Sequence, residues 1–296
     1  MPSFCARCFQ GTLRGDITPM GTEETIHGLD VYVARPDDGR KPIGLVVIIS
    51  DVFGWNTPNI RGLADSYARR GPFVVYVPDI VEGMPCNPDF FGWMDGIKAP
   101  APDWYTLLVM KPLWIWRILA DFVPFGWRCR NGIAQPRIFN FFGAIRQSPS
   151  PPEFDPGKPV SVGAVGFCWG GKYAVMLAKD APSSRVGAHG GGSLVPLVDC
   201  AFTAHPSLLS IPSDVTDVGM PLAVGTGDGD EWMGAESTKT MTRVLEAQGG
   251  KHEVEIYPGA MHGFALRGDP KDPKQTEFAL QAEDQAVKWF HKHFSY

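Results

Sequence analysis

Two apolar patterns alternate along the chain. Leu45-Val46-Val47-Ile48-Ile49 is an unbroken, β-branched run preceded by Pro42 and Gly44 and closed by Ser50-Asp51, which reads as a strand buried on both faces, as in a parallel sheet. From Asn59 to Arg70 the apolar residues fall at Ile60, Leu63, Ala64, Tyr67 and Ala68, a helical spacing, and Phe73-Val74-Val75-Tyr76-Val77 repeats the buried-strand run. Strand, helix, strand is a βαβ unit. After the Pro-rich stretch 148–159 the theme returns as strand 160–166, helix 170–179, strands 185–188 and 221–224, helix 235–248, strand 253–257 and helix 276–293. These elements predict an α/β class: a doubly wound, mostly parallel sheet in a single domain spanning 1–296.

Between the two halves lies an apolar segment, 84–147, that fits no strand. Thirteen of the chain's aromatic residues fall between Phe90 and Phe142. Lys111, Pro112, Arg117, Asp121 and Pro124 punctuate it, so no uncharged span is long enough for an integral membrane segment. An inserted, aromatic-rich helical cap is the reading that remains.

Charge and cysteine content narrow the class further. A net charge of −5 with no basic run argues against a nucleic-acid partner. Met1 to Gln10 holds no apolar run of signal-peptide length, so the six cysteines, at 5, 8, 86, 129, 168 and 200, read as reduced thiols of a cytoplasmic protein. Cys5-Ala6-Arg7-Cys8 resembles half of a zinc site, but no second pair completes it, and no metal is expected.

The chemistry concentrates in Val165-Gly166-Phe167-Cys168-Trp169-Gly170-Gly171, where a strand turns into a helix. This is the G-x-S-x-G nucleophile elbow with Cys for Ser, and the flanking glycines answer the sharpness of the turn. A thiol at a helix N-terminus is also biased toward thiolate. In this arrangement an acid and a base follow in chain order at later strand ends. Strand 221–224 leads into Gly227-Asp228-Gly229-Asp230, and strand 253–257 into Met261-His262-Gly263. His262 is the base; either Asp228 or Asp230 could orient its ring, and spacing alone does not separate them. The oxyanion would be held by the backbone N–H groups of Trp169 and Val52. Asp51, beside Val52, is placed to tune the thiol. His189-Gly190-Gly191-Gly192 resembles a lipase oxyanion motif, but it follows the nucleophile instead of preceding it, and reads as a strand-end loop.

With these residues in view, the chain resembles the dienelactone hydrolases (carboxymethylenebutenolidases), α/β-hydrolases with a Cys-Asp-His triad. The resemblance runs from Gly28-Leu29-Asp30-Val31-Tyr32-Val33 to the C-terminus. It is carried by Asp51-Val-Phe-Gly-Trp55 with Pro58-Asn59-x-Arg61, Val77-Pro78-Asp79, Gly166-Phe-Cys168-Trp-Gly-Gly171, Gly227-x-x-Asp230, and His262-Gly-Phe264 followed by Arg267. It implies an α/β-hydrolase fold, favours Asp230 over Asp228, and sets Asp51 where bacterial members carry a Glu that governs thiol activation. Arg267 is the nearest counterpart of that family's carboxylate-binding arginines.

The expected function is therefore a cofactor-free cysteine hydrolase of a small-molecule lactone or ester, acting through a thioester acyl-enzyme. The aromatic insertion opens two alternatives: a thioesterase or esterase for a bulky aromatic or polyketide-like acyl group, or a non-catalytic protein binding a hydrophobic ligand on the same scaffold. Trp104, Trp114, Trp116 and their neighbours are expected to shape a substrate-binding lid above Cys168. A homodimer is left open as the assembly.

Overall fold

A computed structural model describes residues 18–37, 39–249, 251–267 and 273–294. Cys5 and Cys8 lie outside the described residues. The principal sheet has eight strands in the order β1-β2-β4-β3-β5-β8-β9-β10. An antiparallel hairpin, β1 (Thr22–Ile26) and β2 (Leu29–Ala34), forms one edge. Across β4 (Phe73–Pro78) it joins a parallel block of β3 (Gly44–Ile49), β5 (Val162–Phe167), β8 (Cys200–Ala204), β9 (Leu222–Gly227) and β10 (Glu253–Tyr257).

The continuous apolar runs are explained by burial on both faces. Leu45, Val47 and Ile49 enter one core and Val46 and Ile48 the other, because successive strand side chains point to opposite faces. On the first face lie α4 (Asn131–Gln147), α5 (Trp169–Ala178) and α6 (Ala235–Glu246); on the second lie α1 (Pro58–Arg70) and α7 (Pro273–His293). This is a doubly wound α/β fold.

Two elements depart from the sequence expectation. The strand expected at 185–188 is only Val186–Gly187, paired with Leu194–Val195 as β6 and β7 in a separate ribbon. Its place in the large sheet is taken by β8, whose Cys-Ala-Phe-Thr-Ala sequence is modest in hydropathy but wholly buried. Within the apolar segment 84–147, α4 is a sheet-layer helix, burying Ile138, Phe141 and Phe142. The parts that stand off the sheet are α2 (Phe90–Lys98), a π-helical turn at Thr106–Met110, and α3 (Lys111–Arg128). Among the described residues no helix is long and apolar enough to cross a membrane.

Candidate active site

Cys168 occupies the single-residue turn between β5 and α5. Its backbone, at φ 52° and ψ −117°, lies in a region that costs on the order of 1–3 kcal/mol for a residue with a side chain. Hydrogen bonds hold it there: its N–H donates to the Ala204 carbonyl at 3.4 Å, and its own carbonyl accepts from Gly171 and Ser207 N–H at 3.0 Å each. The motif glycines act as spacers. A Cβ on Gly166 would lie 2.4 Å from the Gly170 carbonyl oxygen, and one on Gly170 would lie 2.3 Å from that of Ile49. Backbones of β5, α5 and β3 therefore meet only because both positions are bare.

The two later strand ends converge on this turn. Asp230, 3% exposed, accepts from His262 Nδ1 at 2.9 Å through Oδ2 and at 3.1 Å through Oδ1, and from the Trp232 N–H at 2.8 Å. Asp228 is turned away to the Gly259 N–H at 2.5 Å. Gly227 allows the β9 turn to nest against the turn that delivers His262, since a Cβ there would sit 2.0 Å from the Ala260 carbonyl oxygen.

The electrostatics of thiol and imidazole run together. His262 Nε2 is buried near the thiol without regular hydrogen-bond alignment. Burial alone would raise the Cys168 thiol, but the charge and contact of His262, with help from Ser207 and the Trp169 N–H, bring it below its ordinary value. Burial alone would likewise lower His262, yet the Cys168 charge and the Asp230 hydrogen bond raise it to about 10. The favoured form is a thiolate beside an imidazolium.

Two neighbours were not singled out as functional from the sequence. Ser207, 5% exposed, places Oγ 3.7 Å from the Cys168 sulfur. His205 is wholly buried at the end of β8, with ring centroids 5.0 Å from His262, 5.6 Å from Phe264 and 5.9 Å from Phe167. Neither of its ring nitrogens has a hydrogen bond. Burial, and then the charge of His262, lower it to about 3, so it is a neutral ring packed on the edge of the base. In sequence, His205-Pro206-Ser207 reads as a loop. Only the pairing of β8 with β5 brings it under the elbow.

Asp51 and Arg267, expected at separate tasks, form one buried ion pair. The other Asp51 oxygen accepts from the Phe53 N–H at 3.0 Å, and the Arg267 guanidinium lies 4.8 Å from the Phe53 ring centre. Asp51 thus anchors the loop of Val52 while its charge is balanced. Of the tryptophans expected in the lid, Trp114 packs over Gly96 of α2, and Trp116 faces outward at 65% exposure. The cap ring that meets the elbow is Phe125, whose centroid lies 5.6 Å from Trp169 in an edge-on contact. Among the described residues no group of three His, Cys, Asp or Glu side chains is disposed to hold a metal.

Comparison with known proteins bears on this geometry. The model of the dienelactone hydrolase family matches residues 145–294, the stretch that contains the elbow and both later turns. The chain is 26% identical to the hydrolase tropI of Talaromyces stipitatus, with 97% of this chain and 95% of that protein covered. It is also 26% identical to a carboxymethylenebutenolidase homolog of Mus musculus, with 93% and 91% covered. A solved dienelactone hydrolase from Anabaena variabilis shares the fold, with a TM-score of 0.56 at 15% identity, covering 94% of this chain and 99% of that one.

Proposed function

The chain belongs to the dienelactone hydrolase family and is a hydrolase of carboxylic ester or lactone bonds; from that premise we propose that Cys168, His262 and Asp230 carry the reaction. The observation behind the assignment is the Asp230–His262 pair, brought beside a thiol lowered below its ordinary range. The Cys168 thiolate attacks the acyl carbon, and the excess charge collects on the carbonyl oxygen. The Trp169 N–H and the Val52 N–H receive it; Phe53 and Gly54 donate instead to Asp51. Collapse breaks the bond to the leaving oxygen, which takes the His262 proton and leaves a thioester on Cys168. Neutral His262 then removes a proton from water, whose oxygen attacks the thioester. Loss of the thiolate completes the cycle, with Asp230 holding the ring tautomer throughout.

The Asp51–Arg267 pair keeps the Val52 loop in register, and the α2–α3 pair, through Phe125, closes over the acyl site as a lid. A bulky, apolar acyl group is the substrate variant that this lid favours, because Phe125 on Trp169 and Phe122 stacked on Phe90 at 5.1 Å build an apolar wall. The setting is the reducing cytoplasm, where Cys86, Cys129, Cys168 and Cys200 stay free.

Replacing Cys168 with Ala lowers turnover of an activated p-nitrophenyl ester by about 10³-fold or more. Retention of most of the activity in that variant removes the assignment. A series of p-nitrophenyl esters set against a small enol-lactone decides between the two substrate classes, the bulky acyl groups being preferred if the lid forms the pocket.

A further inference from the structure

Among the described residues, most of the exposed large apolar side chains come from one stretch, 104–127. On α3 they are Ile115, Trp116, Leu119, Phe122, Val123 and Trp127. At the helical spacing of about 100° per residue these six cover an arc of about 140°. Trp104, Tyr105 and Leu108, also exposed, extend the surface beyond the N-terminal end of α3. The opposite side of α3 packs inward, with Phe125 4% exposed against the elbow. The helix therefore has two apolar sides, one spent on the protein and a wider one turned to solvent.

The charge around this surface is opposite in sign to that of the molecule. Between 104 and 130 the cations Lys111, Arg117, Arg128 and Arg130 face a single anion, Asp121, in a chain of net charge −5. Lys111 binds the carbonyls of Ile97 and Ala99 at 2.8 and 2.7 Å, while Arg117 and Arg130 lie over the indoles of Trp93 and Trp127. Lys111 and Arg130 thus border the apolar face at its two ends, while Arg117 is turned toward α2.

We propose that the outer face of 104–127 docks on an anionic lipid surface, with α3 lying in the plane of the headgroups. Tryptophans at the ends and middle of an apolar stripe, bordered by Arg and Lys, match the chemistry of that interface. A second copy of the chain is a poorer occupant, because a two-fold contact would bring the same cationic rim against itself. Docking leaves Phe125 between the bilayer and Trp169, so the acyl site opens close to the lipid phase.

Cosedimentation of the full chain with vesicles tests this. Vesicles of phosphatidylcholine with about 30% phosphatidylserine should bind at least roughly tenfold more tightly than phosphatidylcholine alone, and salt should weaken the binding. The variant Leu108→Glu, Val123→Glu, Trp127→Glu should lose vesicle binding while keeping its circular dichroism and its turnover of a short soluble ester. The proposal fails if the wild type ignores the anionic vesicles, or if the triple variant binds them as well as the wild type does. It fails too if the substitutions only convert a vesicle-indifferent dimer into a monomer, which assigns the face to a second copy.

Discussion

The elbow and the cap above it hold the same kinds of residue, glycine beside large aromatics, under opposite constraints. At the elbow, Gly166 and Gly170 stand where a single added carbon would lie within 2.4 Å of backbone oxygen. Around them Trp169, Tyr173 and Phe167 are buried. In the cap, a Cβ on Gly126 would meet nothing within 4 Å and one on Gly96 would meet the side-chain ring of Trp114, and Trp104, Trp116 and Trp127 are all more than half exposed. One region is defined by backbone contact and tolerates no added volume. The other is held to the protein along one side of each helix and is otherwise open. The first is fixed by backbone position, and the second presents an exposed surface.

The sharpest way to break that contrast is Gly170→Ala. With carbonyl oxygens of Ile49 and Ser50 2.3 and 2.4 Å from the new Cβ, no rotamer relieves the contact, and the start of α5 must move off β3. The expected cost is about 3 kcal/mol or more, at the upper end for overpacking. Ester turnover should fall with it, because the Trp169 N–H and the thiol shift together. Chemical denaturation and turnover of the purified variant check both; a variant of wild-type stability and rate would show that the elbow has slack.

A second, smaller effect separates the elbow thiol from the other described thiols. Burial pushes Cys86 up to about 12 and Cys129 up to about 11, whereas Cys168 is lowered from its ordinary value of 9.0 despite its burial. At neutral pH iodoacetamide should label Cys168 at least about tenfold faster than Cys86, Cys129 or Cys200, followed by peptide mass spectrometry. The sign of the pH profile follows from the same pair. Turnover rises with pH as the thiol ionises, on a limb below 9.0, and declines where His262 loses its proton, near pH 10. Asp230→Asn removes the anion that supports the imidazolium and should bring the alkaline limb to lower pH.

Legibility in the sequence followed the same division. The elbow could be identified because its constraint is local: strand, Gly-x-Cys-x-Gly and helix lie within seventeen residues, and sterics leave few other uses for them. The βαβ order was legible from two-faced apolar runs for the same reason. Asp228 and Asp230 could not be separated from spacing, because two residues on a turn differ in direction only once the turn is packed; Ala260 against Gly227 supplies that packing. The Asp51–Arg267 pair and the seat of His205 join segments far apart in sequence, and nothing local announces them. The cap posed the reverse problem. Its helix is apolar nearly all round, so periodicity does not tell which side meets the protein, and Trp116, expected in a lid, is 65% exposed.

The mildest test uses the same substitution with the opposite sign. Gly126 lies near the C-terminal end of α3, has helical neighbours, and faces open space. Gly126→Ala adds a methyl group that touches nothing and removes backbone freedom from the unfolded chain, so it should stabilise by about 0.5–1 kcal/mol. Turnover should not change, because Phe125 keeps its contact with Trp169. A loss of stability at Gly126 would mean that the outer face of α3 is already packed against something in solution. The contrast between a crowded elbow and an open cap would then give way to one between two buried surfaces.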